Sequence, residues 1–420
     1  MLDLRLIRRD PETVRAALAR RGPDAAARLD RVVDLDARWR EATQAAEALR
    51  AEQRSASEEV AAGKRERRDV SGTLEHLKML SAEVKARAEQ ARDAEAELQE
   101  VLRTLPNLPD PTAAEPEDEV LYVVGEAGKR GRDHLELAGE RIDMQRGARL
   151  SGARFPILRG DLVTVELALV QWVMTKLRDE HGFEPVIPPV LVRQAALYGT
   201  GMLPDTEQQI YHVAEDDLYL VGTSEVALAS MHAGEIIDAV DLPLRYAGFS
   251  PCFRREAGAA GKDTRGIFRV HQFDKVEMFS FVEPAASAAE HERLLSIEEE
   301  IFTELEVPYR VVNIAVNDLG PSAAKKYDIE AWLPGQGRYR EVTSTSNTTD
   351  FQARRLEIRL RREGARPEVV HTLNGTAIAV SRTLIALLEN GQRDDGSVAL
   401  PALLRPFGAP AELPAATPSP

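Results

Sequence analysis

The stretch that decides the fold is Phe253–Phe279, FRREAGAAGKDTRGIFRVHQFDKVEMF. It predicts two strands joined by a loop rich in glycine and charged residues. Because side chains alternate along a strand, Arg254 and Glu256 share one face of the first strand. The same alternation puts five mostly polar residues on one face of the second strand: Arg269, His271, Phe273, Lys275 and Glu277. Buried charge is costly unless it is paired or bound, so this face indicates either a site for a charged planar ligand such as ATP or a solvated hairpin with cross-strand ion pairs.

Composition sets the class of protein. A chain of 420 residues predicts two domains, and 43% hydrophobic with 29% charged residues is typical of a soluble protein. The single cysteine, Cys252, excludes a disulfide framework and leaves no Cys/His cluster for structural zinc. No segment resembles a signal peptide or reaches membrane-spanning length. We therefore expect a cytoplasmic protein that has no membrane partner and no zinc.

The N-terminal quarter of the chain carries two heptad-patterned segments. The first places Leu35, Trp39, Ala42, Ala46, Leu49, Gln53, Ala56 and Val60 at steps of three and four. The second does so with Val70, Leu74, Leu77, Ser81, Val84, Ala88, Ala91, Glu95, Leu98, Leu102 and Leu105. Two such segments around a polar turn predict an antiparallel coiled-coil hairpin that projects from domain 1–105.

The turn of this hairpin is basic, with KRERR at residues 64–68. The net charge of −15 argues against a protein that coats nucleic acid non-specifically, but a specific binder needs only local basic surface. The hairpin is thus either an RNA-binding arm or an oligomerisation rod.

The rest of the chain mixes helices and strands. We expect a Pro-rich acidic linker at 106–119, an α+β domain at 120–407 and a disordered tail at 408–420. A long helix over Asp161–Gly182, capped by Asp161, precedes an extended segment ending near Pro189. A strand ending in small residues leads into a last helix, with Arg382 in its early turns and Gly391 after its end.

These segments resemble the three signature motifs of class II aminoacyl-tRNA synthetases. The helix from Asp161 with the extended segment to Pro189 resembles motif 1, the 253–279 stretch resembles motif 2, and the strand and helix around Arg382 resemble motif 3. The wording of the 253–279 stretch is similar to that of the seryl-tRNA synthetase family. The resemblance covers residues 1 to about 407. Ala377 and Ser381 stand where the family pattern has glycines. The resemblance implies a catalytic domain built on a mainly antiparallel sheet flanked by helices. It also implies an N-terminal arm that binds tRNA, which favours the RNA-binding interpretation of the hairpin.

The resemblance also implies the activity, a serine–tRNA ligase that uses ATP and Mg²⁺ to make seryl-adenylate and transfers serine to the 3′ end of tRNA(Ser), with tRNA(Sec) as a second candidate. The partners are L-serine, tRNA and a second copy of the chain in a homodimer. Three rivals remain: a ligase that seryl-activates a carrier protein, a class II synthetase for another amino acid, and a non-enzymatic coiled-coil adaptor.

The resemblance assigns the site residues one by one. Arg254 and Arg382 are catalytic; Glu341 and Ser344 hold the metal. The serine set is Thr223, Ser224, Glu225, Glu277 and Thr376. The ATP set is Arg254, Arg255, Glu256, Val270, Phe273, Glu341, Val342, Thr343, Ser344 and Arg382.

Two of these assignments conflict with local pattern. Taken alone, Thr223-Ser224-Glu225 is also a plausible helix N-terminus. Strand alternation pairs Glu341 with Thr343, so a partnership of Glu341 with Ser344 requires a β-bulge or a strand end.

Overall fold

The computed structural model describes residues 1–204, 209–257, 261 and 263–416. The chain divides into two compact units, Met1–Pro106 and Asn107–Pro420. Lys262 of the motif-2 loop lies outside the described residues.

The first unit is helical. Its helices are α1 (Leu4–Arg9), α2 (Pro11–Ala19), α3 (Pro23–Arg65) and α4 (Ser71–Thr104). At 1.5 Å per residue, α3 and α4 are roughly 65 and 50 Å long. They pack against each other over their length, which confirms the predicted antiparallel hairpin. Arg8 anchors α1 to α3 through a two-nitrogen contact with the buried carboxylate of Asp36.

The heptad prediction holds for α3 and slips in α4. None of the eight predicted α3 positions is exposed. In α4, Leu80 and Ala94 are buried in place of the neighbouring Ser81 and Glu95, and Leu74 is exposed. The polar side chains predicted to face the partner helix point to solvent instead, because an adjacent apolar residue can take the buried position with little change in helix geometry.

The second unit is built on an eight-stranded sheet. Its strands are β1 (Glu119–Val124), β4 (Glu184–Val186), β9 (Leu244–Phe253), β10 (Gln272–Val282), β11 (Tyr309–Asn313), β12 (Lys325–Leu333), β13 (Arg338–Thr349) and β16 (His371–Ala379). The order across the sheet is β1-β11-β12-β13-β16-β10-β9-β4, antiparallel except between β9 and β4. This confirms the α+β class with a mainly antiparallel sheet.

Among the described residues, shorter strands and eight α-helices complete this unit. The helices are α5 (His134–Ala138), α6 (Met144–Ser151), α7 (Asp161–Asp179), α8 (Gln194–Thr200), α9 (Glu225–Ser230), α10 (Ser287–Glu304), α11 (Phe351–Arg355) and α12 (Val380–Asn390). The short strands are β2 (Ile142–Asp143), β3 (Ile157–Leu158), β5 (Leu191–Val192), β6 (His212–Val213), β7 (Leu218–Leu220), β8 (Ile236–Asp238), β14 (Arg359–Arg361), β15 (Glu368–Val369), β17 (Val398–Ala399) and β18 (Glu412–Leu413).

The two faces of β10 explain where the site lies. Val276 and Met278 point into the main core, which α7, α10 and α12 help to form. On the other face, Phe279 and Phe281 belong to a second core with α9 and α11. The residues before them on that face, Lys275 and Glu277 among them, line a cavity instead.

Three boundary predictions need correction. Helix α7 starts at Asp161 itself and its N-cap is Gly160, so Asp161 is not the cap. The segment expected to be a linker packs on the second unit, where the Asn107 side-chain amide donates to the backbone oxygens of Ser322 and Thr348. Residues 408–416, expected in the disordered tail, have defined structure because β18 pairs with β17; residues 417–420 lie outside the described residues.

In the described part of the chain, no helix combines the length and the hydropathy required to cross a membrane.

Candidate active site

A cavity of about 390 Å³ opens on the polar face of the sheet. Its walls come from the end of β9 and the motif-2 loop, from β10, β13 and β16, and from the start of α12. Thirteen of the fifteen predicted site residues line it: Thr223, Glu225, Arg254, Glu256, Val270, Phe273, Glu277, Glu341, Val342, Thr343, Ser344, Thr376 and Arg382.

Arg254 lies immediately after β9, outside the strand. Its Nε donates to the Gly222 backbone oxygen at 3.2 Å, and its guanidinium carbon lies 5.2 Å from the Phe273 ring centroid. These contacts fix the plane of the guanidinium while its terminal nitrogens remain available to an anion. The charge of Arg254 also acts on Glu225 and on Glu341, which line the two ends of the cavity described below.

The motif-2 residues reach the cavity by a different route from the one predicted. Glu256 and Arg269 lie outside β9 and β10, and Glu256 has a φ of 49°, so strand alternation does not apply to them. Arg269 Nη1 donates to Glu256 Oε2 at 2.6 Å. This ion pair, rather than a regular ladder, holds the two sides of the loop beside Phe273 and Val270.

The end of the cavity near α12 carries the strongest concentration of charge. Arg382 Nη1 lies 3.2 Å from Glu341 Oε1 and donates to the Glu341 backbone oxygen at 3.1 Å. Burial alone would raise the pKa of Glu341, but the positive charges of Arg382, Lys326 and Arg254 outweigh it and lower the pKa to about 2. Glu341 is thus a carboxylate at any physiological pH.

A β-bulge brings Glu341 and Ser344 together. Ile329 pairs with Thr343 and Glu330 pairs with Glu341, which leaves Val342 as the extra residue in β13. One extra residue reverses the alternation, so side chains three positions apart share a face. The β-bulge that a partnership of Glu341 with Ser344 requires is therefore present.

The opposite end of the cavity holds a chain of four polar side chains. Lys275 Nζ donates to Thr223 Oγ1 at 2.7 Å and forms an ion pair with Glu277 Oε2. Thr376 Oγ1 donates to the same Glu277 oxygen at 3.2 Å. All four residues line the cavity, and none of them is more than 7% exposed to solvent.

Glu225 closes this end. It is the first residue of α9, which confirms the helix-start interpretation of Thr223-Ser224-Glu225, and it also lines the cavity, so a binding role stays a compatible prediction. Its Oε1 accepts from Gln352 Nε2 at 2.7 Å and from Asn374 Nδ2 at 3.0 Å. Burial, reinforced by the charge of Glu277, raises the pKa of Glu225 to about 7.

Two predicted residues do not line the cavity, and a third faces away. Ser224 is fully buried and its hydroxyl donates to the Gly248 backbone oxygen. Arg255 is exposed to solvent. Thr343 borders the cavity, but its hydroxyl donates to Glu298 Oε2 on α10 at 3.1 Å.

Sequence reasoning assigned no role to several lining residues. Lys275 was placed on the polar face of β10 but given no task. Lys326, whose ammonium pairs with Asp328 at 2.9 Å, was missed because no recognised motif covers its strand β12. Asn374 was missed although it lies two residues before the predicted Thr376 on β16. Phe268 was missed as well; the guanidinium of Arg382 lies 4.7 Å from its ring centroid.

Within the described residues, one group could present three metal ligands, namely Glu180, His181 and Glu300. The ammonium of Lys176 already forms ion pairs with both carboxylates, so their negative charge is balanced by a side chain of the protein. This group lies outside the residues that line the cavity.

Comparisons with known proteins agree with this geometry. Residues 210–391 match the model of the tRNA synthetase class II core domain (G, H, P, S and T), and residues 1–109 match that of the seryl-tRNA synthetase N-terminal domain. The serine–tRNA ligase of Acidothermus cellulolyticus is 51% identical, over 97% of this chain and 98% of the relative.

Solved structures show the same similarity. The seryl-tRNA synthetase of Pyrococcus horikoshii complexed with ATP has a TM-score of 0.94 and 41% identity, covering 99% of this chain and 100% of that one. The cytoplasmic serine–tRNA ligase of Naegleria fowleri in complex with AMP has a TM-score of 0.88 and 31% identity, covering 99% of both chains.

A cavity on an antiparallel sheet, flanked by an arginine after the motif-2 strand and another in the motif-3 helix, defines a class II aminoacyl-tRNA synthetase. The coiled-coil hairpin and the full-length similarity narrow the class. The chain belongs to the seryl-tRNA synthetase family, as the sequence predicted, and the interpretations as a carrier-protein ligase or an adaptor are not supported.

Proposed function

We propose that the chain joins L-serine to tRNA(Ser) in two steps within this cavity. The carboxylate of serine attacks the α-phosphorus of ATP, the bond from that phosphorus to the bridging oxygen breaks, and pyrophosphate leaves. The terminal ribose hydroxyl of tRNA, by analogy with class II enzymes the 3′-hydroxyl, then attacks the seryl carbonyl carbon, and AMP leaves. The observation that carries the proposal is the cavity itself, whose lining combines hydroxyl-bearing residues, cationic residues and Arg254.

Arg254 holds the two reacting groups together. The serine carboxylate is ionised at neutral pH, so the first step needs positioning and charge neutralisation and no general base. A guanidinium can bind two oxyanions in one plane, here the serine carboxylate and the α-phosphate. The contacts of Arg254 with Gly222 and Phe273 hold that plane before substrate binds.

The cationic end receives the polyphosphate. Arg382 and Lys326 supply positive charge there, and Glu341 with Ser344 would hold Mg²⁺, because an ionised carboxylate and a hydroxyl on one strand face are oxygen ligands of the kind that Mg²⁺ takes. When bound, Mg²⁺ offsets charge on the phosphates. Because Arg382 and Glu341 contact each other here, we expect ATP and the cation to separate that pair on binding.

The adenine would lie beside the motif-2 loop. Phe273 offers a ring for stacking, Val270 an apolar edge, and Glu256 an acceptor for the exocyclic amino group. Glu256 already accepts from Arg269 through Oε2, which leaves Oε1 for the adenine. Arg255 is not expected to contact ATP in this arrangement.

Serine would bind at the opposite end. Glu277 receives the ammonium, and Thr223, Glu225 and Thr376 surround the side-chain hydroxyl. All four residues line the cavity, and Lys275 links Thr223, Glu277 and Thr376 in one chain of hydrogen bonds and ion pairs. Ser224 takes part only by fixing the backbone of this segment.

The hairpin of α3 and α4 would grip the tRNA. All five residues of the KRERR turn are exposed, and four of them are basic. A long helical pair with a basic end suits an elongated polyanion, and contacts of this kind weaken with salt. We propose tRNA(Ser) as the partner and tRNA(Sec) as a second one, in the cytoplasm.

A homodimer is proposed from exposed apolar side chains on and near motif 1. Leu167 on α7 is 62% exposed, and Ile187, directly after the edge strand β4, is 80% exposed. Large exposed apolar residues beside an unpaired strand edge indicate an interface. Substituting both with glutamate should lower the sedimentation coefficient to that of a monomer, whereas Met79→Glu, at an exposed position on the hairpin, should not. Unchanged sedimentation of the double variant would rule out this face.

The function is tested by serine-dependent ATP–pyrophosphate exchange. Arg254→Ala should abolish exchange, because a charge contact to the transferring phosphoryl group is lost. Its thermal unfolding temperature should be unchanged. Arg255→Ala is the matched control, one residue along and outside the cavity, and should retain nearly normal exchange. Near-normal exchange by Arg254→Ala would remove this residue from the site.

A further inference from the structure

Lys275 is the least explained residue of the cavity wall. A lysine is expensive to bury, yet this residue of β10 is 5% exposed and its ammonium contacts two residues of the proposed serine site. Its ammonium contacts Thr223 Oγ1 and Glu277 Oε2, and it is not in the cationic end where polyphosphate would bind. A role in phosphate binding therefore does not account for it.

The contacts of Lys275 determine the direction of the hydrogen bonds around it. An ammonium only donates, and a hydroxyl has one hydrogen and two lone pairs. Thr223 Oγ1 accepts from Lys275 at 2.7 Å and from the Glu225 backbone N–H at 3.3 Å. With both acceptor positions taken, the Thr223 hydroxyl can take part in a further bond only as a donor, and it faces the cavity.

Thr376 has the opposite polarity. Its hydroxyl hydrogen is directed to Glu277 Oε2 at 3.2 Å, so its oxygen is left as an acceptor. Lys275 and Thr376 both use Oε2 of Glu277, which leaves Oε1 for the substrate ammonium. The wall thus presents one hydroxyl donor and one hydroxyl acceptor, which is the complement of a substrate that carries a hydroxyl.

We propose that Lys275 is a positioning residue for serine selection: its ammonium holds the Thr223 hydroxyl as a donor and Glu277 in place, so that the substrate hydroxyl accepts from Thr223 and donates to Thr376. The proposal rests on the proposed serine site. Alanine has the same carboxylate and ammonium but no hydroxyl, so it leaves the Thr223 donor and the Thr376 acceptor unpaired, and unpaired polar groups of this kind discriminate strongly.

The test compares serine with alanine, which has the same carboxylate and ammonium. Lys275→Met should lower the serine-to-alanine ratio of kcat/KM in pyrophosphate exchange by about tenfold or more, the scale of one oriented hydrogen bond. Lys275→Gln, which keeps a donor, should recover part of the ratio. The ratio of the binding constants of serinamide and alaninamide, measured by calorimetry, should fall in the same way. Neither amide reacts, so this ratio separates selection from catalysis.

A double-mutant cycle separates positioning from general damage. In a Thr223→Val background there is no hydroxyl to orient, so adding Lys275→Met should lower the ratio no further. Lys326→Met is the control, because it removes the other cavity lysine, at the polyphosphate end, and should reduce serine and alanine activation equally.

Two results overturn the proposal: a ratio unchanged by both Lys275 variants, or additive losses in the cycle. If Lys275→Met does not fold, Lys275→Ala, which also removes the donor, carries the same test. Failure of the serine site itself would look different, since Thr376→Val would then also leave the ratio unchanged.

Discussion

The buried carboxyl of Glu225 predicts a pH dependence of stability that one isosteric substitution should remove. Glu225 is 7% exposed, and its Oε1 accepts from the amides of Gln352 and Asn374. Glu225→Gln retains an oxygen for both amides and deletes only the ionisable proton. Burial and the nearby Glu277 raise the pKa of Glu225 from 4.5 to about 7, so the folded state binds a proton that the unfolded state has lost.

The sign and size follow from linkage. A carboxyl whose folded pKa is raised contributes stability that is fully present below pH 4.5 and is lost as the pH rises through 7. A shift of this size corresponds to about 3 kcal/mol in the free energy of unfolding. The stability of Glu225→Gln relative to the parent should therefore grow from nearly zero at about pH 4.5 to about 3 kcal/mol at about pH 8.

The measurement is urea unfolding across this pH range, followed by tryptophan fluorescence in a Trp39→Phe background. Trp39 is the tryptophan of the first unit, so the remaining signal from Trp172 and Trp332 reports the second unit alone. Other raised carboxyls, such as Glu166 and Asp328 with pKa values of about 7, are present in both proteins and cancel in the difference.

The control is Glu363→Gln, which removes an exposed glutamate. Its stability should run parallel to that of the parent at every pH. Parallel curves for Glu225→Gln would refute the reasoning, because the carboxyl would then titrate alike in the folded and unfolded states.

The remaining predictions concern the substrates. Thr376→Val should lower serine activation about 100-fold and alanine activation far less, because only serine loses a hydroxyl partner; equal losses in pyrophosphate exchange would contradict the pocket. Glu341→Gln should raise the Mg²⁺ concentration for half-maximal exchange at least tenfold, since a metal-binding charge is removed, and an unchanged Mg²⁺ titration would exclude Glu341 as a ligand. Replacing residues 41–92 by a short flexible linker keeps the Arg8–Asp36 contact. This variant should retain pyrophosphate exchange but lose tRNA charging. If it charged tRNA normally, the hairpin would be a spacer and not an RNA-binding arm. Charging by the intact enzyme should also fall with salt more steeply than exchange does.

Local patterns in the sequence determined the elements and their class. Apolar steps of three and four over tens of residues predict a coiled-coil hairpin whatever the rest of the chain does, because both helices bury their stripes against each other. Local pattern likewise predicted the strand-to-helix transition before Arg382, which the structure has between Ala379 and Val380. The polar face of β10 was readable because alternation holds within one strand, as Lys275 and Glu277 show.

Only the tertiary structure decided which groups meet. Lys275 contacts Thr223 from a distant segment, and Gln352 and Asn374 converge on Glu225 from two further elements, so no local pattern could pair them. The bulge at Val342 depends on the register with β12, which is a property of two strands and not of one. The helix α4 seam shifted by a residue where its partner accepted Leu80 in place of Ser81.

The same division explains the errors at the ends of elements. The segment 408–416 has one large apolar residue, Leu413, and its strand pairs with β17. Asn107 is held by backbone oxygens more than 200 positions away. A sequence states which residues can be buried or charged over short distances. Burial, and with it the pKa of a carboxyl such as Glu225, is a sum over neighbours that are brought together only when the whole chain folds.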